Sequence, residues 1–140
     1  MHYEISIRPR VSETDMLGHI NNVAVMAWFE EGRSYMVREA LGKAPRLPPF
    51  VLARMETDFR GQLFFGEEAR IQSGVERLGN TSVTVRQRIE QHGKLCAEAR
   101  CVLVHFDHQT QRPASLPEEL RASLSRFHEA PDAEPSRHPG

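Results

Sequence analysis

No stretch of the sequence approaches the roughly 20 apolar residues of a membrane-spanning helix, and the mean hydropathy is −0.50. No membrane partner is expected. Basic charge is not in excess either. Lys and Arg number 18 against 19 Asp and Glu, a net charge of −1, which argues against a general nucleic-acid binder. Cysteine is scarce, at 2 residues. Cys96 and Cys101 fall on one predicted strand at an odd separation, so their side chains point to opposite faces. Their extended span of about 16 Å exceeds a disulfide's reach, and both are expected to stay reduced. The N-terminus, M-H-Y-E-I-S-I-R, has no apolar signal core. There is no H-E-x-x-H, no G-x-S-x-G and no phosphate-binding glycine loop. What remains is a cytoplasmic protein of 140 residues, long enough for one core.

The order of elements follows from periodicity. Tyr3 to Val11 alternates with Tyr3, Ile5, Ile7 and Val11 on one side, a half-buried strand broken or edged at Pro9. A long helix follows from Asn21 or Asn22, either of which can cap it. Its apolar stripe is Val25, Trp28, Phe29, Met36 and Ala40, with Gly32 on the same side. Gly42 stops it, and Pro45, Pro48 and Pro49 prevent a restart. Four strands then come from 50–60, 69–75, 83–89 and 95–106, joined by turns near Gly61 to Gly66, at Gly79-Asn80 and at His92-Gly93-Lys94. The last strand is apolar on both faces at Cys101 to Val104, which marks it as central or as an interface strand. Ser115-Leu116-Pro117-Glu118 fits a capping box ahead of a short helix carrying Leu120, Leu124 and Phe127, expected to cover an edge of the sheet. The fold class is α+β, an antiparallel sheet against one long helix. Residues 1–128 form one domain; residues 129–140, with Pro131, Pro135 and Pro139, are expected to be a disordered tail.

Chemistry concentrates in the loop before the long helix, which holds Asp15, Gly18 and His19. No Asp or Glu occupies the first helical turn, so the positive end of the helix dipole is left for an incoming partial negative charge. Backbone N–H groups there can bind the oxygen of a polarised carbonyl. A carboxylate just upstream can attack that carbonyl or deprotonate a water. Thioester hydrolysis suits such a site, because a thiol of pKa about 8.5 departs as thiolate with little acid help.

The segment D-M-L-G-H-I-N-N-V-A-V-M-A-W-F-E-E-G-R resembles the signature of the hotdog-fold acyl-CoA thioesterases of the 4-hydroxybenzoyl-CoA thioesterase type. F-R-G-Q-L-F-F-G-E-E and R-L-G-N-T-S-V-T-V are similar, less specifically, to that family's next hairpin and strand pair, so that the likeness covers roughly residues 3 to 106. Val25 stands where the family usually has Tyr, which bears on the acyl pocket, and Gln62 where it often has Pro, which bears on a turn. The resemblance implies a hotdog fold, a sheet wrapped around the long helix, and an acyl-CoA substrate with neither cofactor nor metal. It implies a homodimer, often paired into a homotetramer, with active sites at the subunit interface. Asp15 would be nucleophile or general base, and the amide near Asn22 would polarise the carbonyl. Gly18 would let backbone approach substrate. His19 would orient water, shuttle a proton or hold the loop. Asn21, Val25, Thr81 and Ser82 are candidates for substrate contact, with Arg77, Arg86 and Arg88 near the same hairpin.

Other readings stay open. Asp15 also reads as a turn former, Asn21 and Asn22 as plain caps, and Arg86 and Arg88 as a solvated face. Glu30 and Glu31 read as solvent-facing and Arg33 as an ion-pair partner. His105-Phe106-Asp107-His108 lacks recognised metal-ligand spacing. A non-enzymatic acyl-thioester binding protein and an acyl-carrier-protein thioesterase are the alternatives. A hotdog hydratase fits less well, since those enzymes space Asp and His by five residues.

Overall fold

The alternation becomes an antiparallel sheet in the computed structural model, which describes residues 1–42 and 49–129. In chain order the elements are β1 (Tyr3–Ile7), α1 (Asn22–Leu41), β2 (Phe50–Phe59), β3 (Ala69–Leu78), β4 (Ser82–Gln91), β5 (Lys94–Asp107), β6 (Arg112–Pro113) and α2 (Glu118–Leu124). The strands lie side by side as β1-β3-β4-β5-β2, with β6 pairing β5. Every strand pair is antiparallel. Among the described residues no helix is long and apolar enough to cross a membrane.

β1 stops at Ile7 rather than Val11. Pro9 cannot donate to the ladder, and Val11–Glu13 turns into a short 3-10 segment that leaves Val11 exposed. β5 lies between β4 and β2. Cys101 and Leu103 are buried on it and Val102 and Val104 half-buried, as its two-sided apolar pattern led one to expect. Both cysteines are buried and free. β6 escaped notice because two residues, one of them proline, carry no periodicity.

α1 buries Ala24, Val25, Trp28, Phe29, Gly32, Arg33, Met36, Val37 and Ala40. The buried face runs through two core clusters. One gathers Ile20, Trp28 and Phe29 with Ile71, Ile89 and Ala97. The other gathers Met36, Val37 and Ala40 with Val75, Val83, Val85, Leu103 and the α2 residues Leu120 and Leu124. Gly32 is where helix and sheet come closest. A methyl group there would sit 2.5 Å from Ile71 Cγ2, inside van der Waals contact, so the helix could not lie as near.

α2 packs on the same core as α1, so the sheet is covered by two helices. The capping box at Ser115 does not form: the N-cap is Pro117, with no side-chain bond to the first turn. Glu118 and Glu119 occupy that turn and complement the helix dipole instead. Glu129 is anchored: its amide donates to Val75 O at 2.9 Å, and its carboxylate meets His2 at 3.1 Å and Arg88 at 3.4 Å. The rest of the expected tail, residues 130–140, and Pro45 and Pro48 lie outside the described residues.

Candidate active site

The loop between β1 and α1 closes on itself as a tight antiparallel hairpin. Asp15 N donates to His19 O at 2.7 Å and Asn21 N to Glu13 O at 2.8 Å, with a bridge between Thr14 and Ile20. Asp15 completes the turn with its side chain. Its Oδ1 accepts from Leu17 N at 2.8 Å and from His19 N at 3.1 Å. A short acidic side chain satisfying amides two and four residues on is the ordinary reason for Asp in a turn. Here it also fixes the carboxylate's direction, and Oδ2 has no partner among the described residues. Gly18 is at φ 80°, a conformation other residues adopt only with strain. Its carbonyl accepts from Phe65 N at 3.2 Å, which ties the loop to the segment before β3.

The helix begins one strand away. Asn21 is the N-cap, and its side chain accepts from Ala24 N at 2.8 Å. Val25 N bonds Asn21 O at 3.2 Å. The amides of Asn22 and Val23 have no acceptor among the described residues, no acidic residue stands in the first turn, and both side chains are exposed. These are the orphan donors of a helix start. The 13–21 and 15–19 pairings put Asp15 two residues along the hairpin from Asn21. At strand rise and spacing that is roughly 8 Å between their Cα atoms, within reach of one ester-sized group.

The other expected site residues divide. His19 lies in the loop and is half-buried, with its ring edge-on to Phe64 at 5.1 Å between centroids; its loop-holding bonds come from its backbone. Val25 is 3% exposed within the first core cluster, so inside one chain it lines no groove. Thr81 and Ser82 are not brought to Asp15. The loop touches the sheet at Leu63 to Phe65, beside the β4 end at Gln91, while Thr81 and Ser82 form the opposite β3–β4 turn. Ten residues of strand, roughly 33 Å, separate them. There Thr81 O accepts from His105 N and Ser82 O from Gly79 N, both at 2.7 Å. Arg88 is engaged with Glu129 and Arg86 also has an interaction partner.

Arg33 is the ion-pair partner expected, on Glu30; its burial was not foreseen. It is buried, 3.9 Å from the exposed Glu30, and its Nη1 is a buried donor with no partner among the described residues. It lines a hollow of about 290 Å³ with Glu30, Ser34, Val37, Phe50, Leu52 and Leu103. His105 Nδ1 lies 3.1 Å from Ala114 O, and Asp107 caps its own turn. A second hollow, about 650 Å³, is lined by Phe65 and Gly66, next to the segment that bonds the Asp15 loop, with Ser6, Arg8, Pro9, Glu67 and Glu68. Sequence reasoning passed over Glu13. Its carboxylate accepts from Arg10 N at 2.7 Å and from Trp28 Nε1 at 2.8 Å. Its one signal was an acid beside Thr14 and Asp15 in the loop.

A family model for the thioesterase-like superfamily matches residues 9–124. The chain belongs to the thioesterase-like superfamily. Its match spans the Asp15 loop, α1 and all six strands but β1. An uncharacterized protein from Bacillus subtilis, YsmA, is 31% identical over 117 residues, 82% of this chain and 80% of that one. Among solved structures, a predicted thioesterase from Bacillus stearothermophilus superimposes with a TM-score of 0.87 at 38% identity, covering 94% of this chain and 99% of that one. A thioesterase from Thermus thermophilus, complexed with coenzyme A and zinc, gives 0.80 at 27% identity, covering 92% and 96%. The sheet and helix arrangement of this superfamily member is therefore that of the hotdog thioesterases.

Proposed function

We propose that the protein is an acyl-CoA thioesterase that hydrolyses acyl-S-CoA to the free acid and CoA-SH. The observation that supports this is the hairpin whose backbone pairings leave Asp15 two residues along from the helix cap Asn21, with the first-turn amides of Asn22 and Val23 unpaired among the described residues. One oxygen of Asp15 is held by Leu17 and His19, which aims the other. The thioester carbonyl oxygen lies on the first-turn amides, and charge developing there meets donors that need no reorganisation. Asp15 then either attacks the carbonyl carbon or takes a proton from a water that attacks it. The thiolate leaves unaided. Coenzyme A as the carrier draws support from the relative complexed with it.

A second copy completes the assembly in this reading. β2 is a ten-residue edge strand, and Val51, Leu52 and Phe59 on it are each more than two-fifths exposed. A long, apolar, unpaired edge is a surface that proteins normally cover, and antiparallel pairing of β2 with its symmetry mate would cover it isologously. The active sites then lie near that interface, and such dimers can pair into a tetramer. Two free buried thiols suit a cytoplasmic location.

The test is thiol release from a panel of short, long, hydroxylated and aromatic acyl-CoAs, alongside the same acyl groups on acyl carrier protein. Tight acyl-CoA binding without thiol release would instead identify a binding protein. A single turnover in ¹⁸O-water tests the nucleophile role of Asp15: label retained in the protein means an acyl-aspartyl intermediate hydrolysed at the Asp carbon, whereas label in the product acid alone means that water attacked the acyl carbon. Val51→Lys with Phe59→Lys is expected to shift the sedimenting species toward monomer.

A further inference from the structure

We propose that Glu13 is a positioning residue, latching the Asp15 loop to the long helix through Trp28. The inference rests on the reading of Asp15 as the reacting carboxylate. Glu13 accepts three bonds that come from three segments. Oε1 accepts from Arg10 N at 2.7 Å, Oε2 accepts from Trp28 Nε1 at 2.8 Å, and its carbonyl accepts from Asn21 N at 2.8 Å. The chain before the loop, the N-cap and the second turn of α1 thereby meet on one residue.

Trp28 is a rigid post for this latch. It is 2% exposed and packed in the first core cluster, so its indole cannot follow a moving loop. Asp15 lies two residues beyond Glu13, on the same arm of the hairpin. Anchoring Glu13 therefore sets where Asp15 sits relative to the Asn22 and Val23 amides. Two further bonds of the hairpin run elsewhere: Thr14 Oγ1 donates to Val11 O, and, from the returning arm, Ile20 N to Leu63 O. Neither reaches the interior of the helix. The tip of the loop has little packing to hold it, since Met16 and Leu17 are exposed. A loop with few buried contacts opens locally unless tied.

A carboxylate suits two N–H donors because both oxygens accept. Glutamine keeps one acceptor and turns its NH₂ toward the second donor, and alanine keeps neither. The predicted series is therefore graded, Glu above Gln above Ala, and the full-length protein tests it by two independent readouts. The first is kinetic. Glu13→Ala lowers kcat by about 10- to 100-fold with KM within about threefold, the signature of a misplaced group rather than lost binding. Glu13→Gln recovers part of the loss. The second needs no substrate. The amides of Leu17 and His19, which donate to Asp15 Oδ1, exchange roughly tenfold faster in Glu13→Ala, while those of Met36 and Val37 keep their protection. Emission from Trp28, the one tryptophan, becomes more accessible to acrylamide. Wild-type exchange at Leu17 and His19 in Glu13→Ala would overturn the proposal, as would faster exchange at Met36 and Val37 in step with them. If the wild-type protein hydrolyses no acyl-CoA, the hydrolase reading falls and the exchange series alone decides the latch.

Discussion

The two ends of α1 stand in differently finished halves of the core. Around its C-terminal half, Met36, Val37 and Ala40 are walled in by the sheet, and Leu116, Leu120, Leu124 and Phe127 close the remaining side. Around its N-terminal half the chain covers itself incompletely. Met16, Leu17 and Val23 are each more than three-quarters exposed, and Phe64 and Phe65 nearly half. Soluble domains seldom leave several large apolar side chains together in water without a use for them. Met16 and Leu17 belong to the loop that holds Asp15, Val23 to the helix start beside it, and Phe64 and Phe65 to the segment that the loop bonds. One half of the core is closed by the protein's own second helix; the other is buried under the sheet and loop but carries exposed apolar side chains outside it.

The largest effect that would break this division is Asp15→Asn. It should lower kcat by about 10²- to 10⁴-fold and leave the thermal midpoint nearly unchanged, because the amide oxygen still accepts from Leu17 and His19. Full activity in that variant would sink Asp15 as the acid. The converse is Leu124→Ala in the closed half. Leu124 is fully buried, so its truncation should cost about 2–5 kcal/mol in urea unfolding, with kcat retained under native conditions. Smaller is the alkaline response of the closed half. Burial pushes the Cys101 thiol up to about 11, against a lesser pull downward from the Arg33 charge. The folded state therefore holds its proton where the unfolded chain has lost it. The stabilisation is complete below the ordinary value of 9.0 and is lost as pH rises through about 11. Cys101→Ala should flatten the fall in unfolding free energy across that window. The smallest stability effect is expected from Leu17→Ser in the open half, within about 0.5 kcal/mol, yet it should raise KM for long acyl-CoAs. A Leu17→Ser protein that unfolds early would mean the open half carries stability after all.

Much of the fold was legible because the information is local. The α1 stripe of Val25, Trp28, Phe29, Gly32, Met36 and Ala40 is the buried face, since a 3.6-residue period turns those side chains one way. Asn21 is the cap for equally local reasons. The Asp15 turn was legible as well, as both a turn former and a candidate acid, and it is the first by geometry and the second by proposal. Arg33 was legible as an ion-pair partner but not as a buried one, because helical spacing does not say which side of the helix the sheet covers. Ser115 resembles a cap, but the helix starts after Pro117, where the tertiary contacts of Leu116 and Leu120 place it.

Sequence alone determined which segments are helix or strand, which face of each is apolar, and that a carboxylate precedes an acid-free helix start; these are properties of neighbouring residues and their backbone periods. Only the tertiary structure decided that Glu13 holds Trp28, that Thr81 and Ser82 lie at the opposite end of the sheet from Asp15, and that the second helix closes one end of the core and not the other. Those facts depend on strand order and register among residues tens of positions apart, where no local period constrains the partner.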